Sequence, residues 1–315
     1  MTLPFITGPE LSALMPPAAA VAALEHELGQ GLDPERDAPR LFSPLGAGEF
    51  LLMPAESSRY AGIKVVTVAP ANPARGEPKI QGTYLLFDAA TLTPLAAMEG
   101  AELTLIRTPA VTAMAVKHML HAGGRVSIGR LLVLGTSLQA DRHLQALTDI
   151  LDVADVVIVG RRPEAAEQLA GKWADRGIPA RPGHHADIPG ADVVVCATSS
   201  ATPVFDGSFV APDAIVAAIG SHGLQAREID HDLARRCDVV VEGRASAFRE
   251  AGDLIPARSA GEWRQHNVTN LAELVAGHFR RRPGAPALYT GVGMSWEDLV
   301  VASHAFERLG AVAAP

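Results

Sequence analysis

Three cations in the N-terminal half could do chemistry. Lys64 lies in an apolar run, between Ile63 and Val65-Val66. A lysine in a half-buried strand is costly unless paired, and its pKa falls readily. Such a lysine suits binding a carboxylate or donating a proton, although an edge-strand lysine facing solvent fits the same letters. Arg107, in Thr104-Leu-Ile-Arg-Thr-Pro-Ala110, stands near the start of an apolar helix. A guanidinium there can hold a carboxylate or phosphate through two parallel hydrogen bonds, with an ordinary surface arginine as the alternative. Arg40, just before a hairpin, is available for the same work but has no support of its own. In the second half, His222 follows a strand in Ala218-Ile-Gly-Ser-His-Gly223. The carboxyl ends of strands in an open α/β sheet face the ligand crevice, so His222 is a candidate acid or a lining residue. His184 and His185 are adjacent and do not share a face, so no metal site is expected.

These side chains need two kinds of scaffold. The first third reads as mostly antiparallel β. A helix over 9–28, broken or restarted at Pro16-Pro17, precedes a hairpin over 40–53 and a turn over 54–58. Strands follow over 60–68, 80–88 and 94–99, then a long helix over 103–120, starting near Thr104 or Thr108 with Pro109 in its first turn. From Leu131 the pattern changes to short valine-rich strands alternating with helices, the signature of a doubly wound parallel sheet. Expected strands are 131–134, 156–159, 193–196, 215–219 and 239–241, with helices over 138–150, 163–176 and 227–235. The last helix opens with Ser295 three residues before Asp298, a capping-box spacing.

The first strand–turn–helix of this second region carries Gly135-Thr-Ser-Leu-Gln-Ala140. It matches a dinucleotide fingerprint, G-x-G-x-x-G/A, except that Ser137 replaces the second glycine. Backbone N–H groups and a helix N-terminus at such a turn favour a pyrophosphate. After the second strand stands Gly160-Arg-Arg162, where an acidic residue would grip a ribose 2′-hydroxyl. Two arginines suit a 2′-phosphate instead, so NADP(H) is favoured, with NAD(H) as the alternative.

The net charge of −8 argues against nucleic acid or an anionic membrane as partner. Neither Cys196 nor Cys237 has metal-ligand spacing, and both sit in apolar runs, as in a reduced cytoplasmic protein. No signal peptide and no membrane span are expected.

Taken together, the chain resembles the ornithine cyclodeaminase/mu-crystallin family. The stretches that carry the resemblance are Leu52-Met-Pro-Ala55, Gly62-Ile-Lys-Val-Val66, Pro70-Ala-Asn72 with Arg75-Gly76, and Leu103-Thr-Leu-Ile-Arg-Thr-Pro-Ala110. They continue through Gly135–Ala140, Ala197-Thr198, Ile219-Gly-Ser221 with Arg227-Glu-Ile-Asp230, and Gly291-Val-Gly293 with Glu297-Asp298. The resemblance implies a homodimer of α/β class. A Rossmann-type dinucleotide-binding domain would span 119–291, and an α+β substrate and dimerisation domain would combine 1–118 with 292–315. It implies hydride exchange at the carbon beside a carboxylate, as in cyclodeaminases, amino-acid dehydrogenases and imine reductases. By the same resemblance Arg40, Lys64, Arg107 and Val292 bind substrate, with Lys64 and His222 as catalytic candidates. The cofactor set is Lys79, Gly135, Thr136, Ser137, Leu138, Gln139, Ala140, Arg161, Arg162, Thr198, Ile219 and Gly291.

Two departures shape the expectation. Ornithine cyclodeaminases have an aspartate where His222 stands and a glutamate where Leu51 stands. A leucine cannot hold the ornithine ammonium. The sequence therefore predicts an NAD(P)(H)-dependent oxidoreductase interconverting an α-imino carboxylate and an α-amino acid. An ornithine cyclodeaminase-like lyase and a non-enzymatic binding protein of mu-crystallin type are the alternatives.

Overall fold

The computed structural model describes residues 3–221 and 223–313, which fall in two compact units. The first unit comprises Met1–Glu27, Arg36–Val111 and Gly293–Pro315, and the second Leu28–Glu35 and Thr112–Val292.

The chain opens with β1 (Phe5–Ile6), α1 (Gly8–Leu14) and α2 (Pro17–Gly29). The helical break falls at Met15-Pro16, as the proline pair requires. Next come β2 (Leu41–Leu45), β3 (Gly48–Glu56), β4 (Tyr60–Val68), β5 (Ile80–Asp88) and β6 (Pro94–Glu99). They form one sheet in the order β1-β6-β5-β4-β3-β2, antiparallel except for the β1–β6 pair. Strand residues alternate between faces. Gly62, Lys64 and Val66 are buried on one face of β4, beside Met53 of β3 and Tyr84 and Leu86 of β5. The opposite face presents Leu52, Ile63, Val65 and Leu85, all half-buried. The C-terminal helix α10 (Ser295–Ala313) packs on β3, β4 and β5 and covers the Lys64 face.

Helix α3 (Gly100–Ala122) leads into the second unit. There follow β7 (Ser127–Leu134), α4 (Leu138–Ile150), β8 (Asp152–Val159), α5 (Pro163–Ala174), β9 (Ala180–Pro182), β10 (Val193–Cys196) and β11 (Ile215–Ala218). The unit continues with α6 (His231–Arg236), β12 (Asp238–Val241), α7 (Arg244–Glu250), α8 (Ala260–Gln265), β13 (Val268–Asn270), α9 (Leu271–Val275) and β14 (Ala287–Thr290). Eight parallel strands lie in the order β13-β12-β14-β11-β10-β7-β8-β9, a Rossmann-type sheet. Strands β10, β11, β12 and β14 are buried along their whole length. This is why their sequences read as unbroken apolar runs. The order reverses between β7 and β10, and that switch point is where such sheets bind ligands.

Several boundaries differ from the sequence expectation for identifiable reasons. Of the turn expected over 54–58, residues 54–56 belong to the end of β3, with Pro54 opposite Ile63, and the turn itself begins at Ser57. Strand β2 reaches only to the Leu41–Leu52 pair, so Pro54 lies on a stretch with one open edge, where a missing N–H is tolerated. Helix α3 begins at Gly100 rather than near Thr104 or Thr108, which leaves Pro109 inside it. The Glu99 carboxylate caps that start, accepting from the N–H of Ala101 at 3.1 Å and of Glu102 at 2.5 Å. Residues 227–229 are not helical, because the N–H groups of Glu228 and Ile229 donate to Asp253 instead. At α10 the cap is Asp37, which accepts from the N–H groups of Ser295 and Trp296 at 3.0 Å each, rather than the side chain of Ser295.

Candidate active site

The first unit gathers the three N-terminal cations around the start of α10. Lys64 is buried, and its Nζ lies 2.6 Å from Asp298 Oδ2 and 3.2 Å from Thr104 Oγ1. Thr104 and Arg107 stand three residues apart on α3, hence on one face of it. Arg107 Nη1 lies 2.7 Å from Glu297 Oε2, and its Nε is 3.4 Å from Asp298 Oδ1. Arg40 donates from Nη2 to the Gly293 carbonyl at 2.5 Å. Gly293 has φ +77°, and a Cβ there would fall 2.6 Å from Arg107 Nη1. The residue that receives Arg40 therefore has to be small for Arg107 to approach.

Burial lowers the Lys64 pKa to about 8 against the opposing pull of Asp298, with the Arg107 and Arg40 charges adding to the fall. Tyr84 is fully buried over Gly62, where a Cβ would meet its hydroxyl at 2.1 Å. Burial and the Asp298 and Asp37 carboxylates hold that phenol protonated. Leu51 is paired with Val66 and so shares the sheet face of Lys64. A carboxylate brought to this cluster meets three cations, two of them buried, next to an apolar wall.

The second unit presents a separate constellation at the carboxyl ends of its strands. Gly135, after β7, has φ +123°, and a Cβ there would fall 2.5 Å from the Ala197 carbonyl after β10. Ser137 has an ordinary extended backbone (φ −80°, ψ 174°) and is the N-cap of α4, accepting from the Ala140 N–H at 3.4 Å. The glycine-only position is thus Gly135, and a serine at 137 fits without strain. Thr136 packs against Gly160, which could carry no side chain without meeting Thr136 Cγ2 at 2.7 Å. Arg161 and Arg162 are exposed beyond β8. Leu138 is exposed, and Gln139 Oε1 is buried with no hydrogen-bond partner among the described residues. Glu242 holds the turn after β14, accepting from the Val292 N–H at 2.8 Å and packing on Gly291. A pyrophosphate fits a turn of this kind: a left-handed glycine, a capped helix N-terminus and a close approach of two switch-point strands.

Lys79 is exposed in the first unit, on the loop before β5. Val292 is buried at the end of the second unit. His222 lies outside the described residues. Sequence reasoning missed the ion-pairing of Glu297 and Asp298, which read as a capped, acidic first turn. The available signal was two adjacent carboxylates opening a helix whose next residues, Leu299, Val300, Val301 and Ala302, are all apolar. Glu228 was missed because 227–235 read as a helix.

The ornithine cyclodeaminase/mu-crystallin family profile matches residues 18–312. A Delta(1)-pyrroline-2-carboxylate reductase 2 of Burkholderia ambifaria is 33% identical over 98% of this chain and 97% of its own. A Delta(1)-pyrroline-2-carboxylate/Delta(1)-piperideine-2-carboxylate reductase of Azospirillum brasilense is 33% identical over 98% of this chain and 97% of its own. Among solved structures, an archaeal alanine dehydrogenase dimer with bound NAD superposes with a TM-score of 0.89 at 26% identity, covering 100% of this chain and 98% of the other.

The buried lysine yields a direct expectation. Lys64 should lose its proton as pH rises through about 8, against 10.5 for an exposed lysine. Between those values the unfolded chain holds the proton and the folded one does not, so this group makes stability rise with pH there. Titration of the reductively methylated protein by NMR would read the Lys64 midpoint. A midpoint near 10.5 would mean that Asp298 fully offsets the burial.

Proposed function

The chain belongs to the ornithine cyclodeaminase/mu-crystallin family, and on that premise we propose how its sites work in an NAD(P)(H)-dependent oxidoreductase. The enzyme interconverts an α-imino carboxylate and the corresponding α-amino acid. The observation that carries the reading is the meeting of Arg40, Lys64 and Arg107 around Gly293 and Asp298. Arg40 and Arg107 hold the substrate carboxylate, with Arg107 pre-oriented by Glu297. Lys64 orients the imine and supplies the proton that its nitrogen gains as the C=N bond becomes CH–NH. When bound, the reduced nicotinamide supplies a hydride to the carbon beside the carboxylate. Leu51 on the Lys64 face offers no side-chain acceptor for an ammonium, which favours a cyclic imine such as a five- or six-membered pyrroline- or piperideine-carboxylate over ornithine.

The test is a panel of cyclic and open imino acids followed at the nicotinamide absorbance, beside an ornithine-to-proline assay with NAD. Cyclic imines should turn over. Arg40→Ala should raise KM for the imine ~10–100-fold, the worth of one charge-assisted hydrogen bond. Lys64→Gln should lower kcat at least ~100-fold, the usual contribution of a positioned proton donor. Ornithine turnover with no imine reduced would overturn the reading in favour of a cyclodeaminase.

For the cofactor, Arg161 and Arg162 beyond β8 support NADP(H) over NAD(H). Replacing both by serine should cut kcat/KM for NADPH ~10–100-fold, a loss scaled to charge-assisted hydrogen bonds, and leave NADH nearly unaffected. Equal losses with both dinucleotides would place the arginines elsewhere in the mechanism.

A second copy of the chain is the partner we propose for the first unit's sheet. Leu52, Ile63, Val65 and Leu85 are half-buried on the face opposite α10, and the adjoining β2 is exposed throughout, with Leu41, the neighbour of Leu52 on that face, at 57%. Contiguous apolar surface of this kind marks an interaction site. Sedimentation should give a dimer, and Val65→Glu should dissociate it; a monomeric wild type would overturn the assignment. Among the described residues no helix is long and apolar enough to cross a membrane. The two free, buried cysteines support the cytoplasm as the compartment.

A further inference from the structure

Glu228 is fully buried between the strand ends of the second unit, and neither the imine chemistry nor the carboxylate clamp uses it. Its two oxygens are divided between two loops. Oε1 accepts from the backbone N–H and the hydroxyl of Thr198, both at 2.7 Å, in the loop after β10. Oε2 accepts from the N–H of Ile219 at 3.0 Å and of Gly220 at 2.7 Å, in the loop after β11. The loops themselves nearly touch, since a Cβ on Gly220 would fall 1.9 Å from the Thr198 carbonyl. Glu228 is in turn fixed by its own N–H, which donates to Asp253 Oδ1 at 2.7 Å.

We propose that Glu228 is the positioning residue of the dinucleotide site: one carboxylate holds the Thr198 and Ile219–Gly220 loops at the separation that binding requires. A buried carboxylate is costly, and this one is held by four donors. Were it only a filler, an apolar side chain would occupy the space at lower cost. Because each oxygen serves one loop, a glutamine cannot replace it. Whichever way the amide turns, its NH2 faces the donors of one loop and releases that loop.

The inference rests on the dinucleotide reading of the second unit. Its test is dinucleotide affinity, measured by fluorescence titration with NADH and NADPH below the melting temperature. Glu228→Gln should raise Kd at least tenfold, while KM for the imine at saturating dinucleotide stays within about twofold. A residue with a merely structural role would lower the melting temperature and leave the Kd of the folded fraction unchanged, and that result would overturn the proposal. Wild-type protein that binds neither dinucleotide would overturn the underlying reading instead.

A second measurement needs no variant at this position. Burial pushes the Glu228 carboxyl up to about 7 against its four hydrogen bonds, with the Asp253 charge adding to the rise. As pH falls through that value the carboxyl gains a proton, which confronts one loop's donors with an O–H. The other groups facing it are Asp253, the Arg227 charge that acts on Asp253, and the Cys196 thiol at the end of β10, which burial keeps protonated. The Kd for NADH, which carries no titrating 2′-phosphate, should rise at least fivefold from pH 8 to pH 6. The same profile in His222→Asn removes the imidazole that follows Gly220 by two residues in the sequence. A flat profile in wild type, or one abolished by His222→Asn, would overturn the proposal.

Discussion

The buried contact between Lys64 and Asp298 sets the terms for the first unit. Neither charge can stand alone in an apolar interior, because an unpaired buried ion costs several kcal/mol. Lys64 comes from the middle of β4, and Asp298 from the first turn of a helix more than 200 residues later. The pair therefore obliges the C-terminal helix to return to the N-terminal sheet, and the first unit has to be assembled from distant parts of the chain. Arg107 enters the same arrangement through Glu297 and Asp298, which ties α3 to the same point. Three elements that share no local sequence are thus registered by charge. Apolar residues of α10 and of the sheet pack around the pair, but apolar contact is non-directional and would tolerate sliding. The ion pairs do not.

The second unit solves an analogous problem with carboxylates alone. Strand ends in a parallel sheet leave backbone N–H groups that no neighbouring strand can take. Glu228, Glu242 and Asp253 are buried and accept from those groups at the loops after β10, β11 and β14 and in the segment before α6. Both oxygens of Glu228 and of Glu242, and Oδ1 of Asp253, have named donors, so much of the cost of burial is met by hydrogen bonds to charge. The loops that carry Thr198 and Gly291 are in this way fixed by carboxylates from outside them, and Ile219 by Glu228, farther along its own β11–α6 connection.

This division explains what could be read from the sequence. Period and composition located the strands well: β4, β5 and β6 fall where the alternation placed them, and the valine runs of β10 and β12 announced a buried parallel sheet. Lys64 was legible because a cation in an apolar strand contradicts its surroundings. Arg107 was legible from its place in an apolar helix. Their partners were not. Glu297 and Asp298 are what any helix start would carry, and Glu228 follows an arginine in a stretch with helical spacing. Whether a carboxylate caps, solvates or pairs depends on what lies across from it, and that information is non-local. The departure at Ser137 was legible as a letter but not as a conformation. The backbone there is ordinary, and the positive φ belongs to Gly135.

The charges around Gly293 bear on the substrate as well. Arg40, Lys64 and Arg107 bring three positive charges, against the two carboxylates of Glu297 and Asp298. Asp37 stands nearby, and its oxygens accept from the first N–H groups of α10, a position where a carboxylate also meets the positive end of the helix dipole. On the proposed reading this cluster of charges receives the substrate carboxylate. A cationic group on the substrate would face Leu51, with no acceptor in its side chain. A carboxylate beside an apolar frame is the kind of molecule that the proposed reading brings to this cluster, and a cyclic imino acid is of that kind.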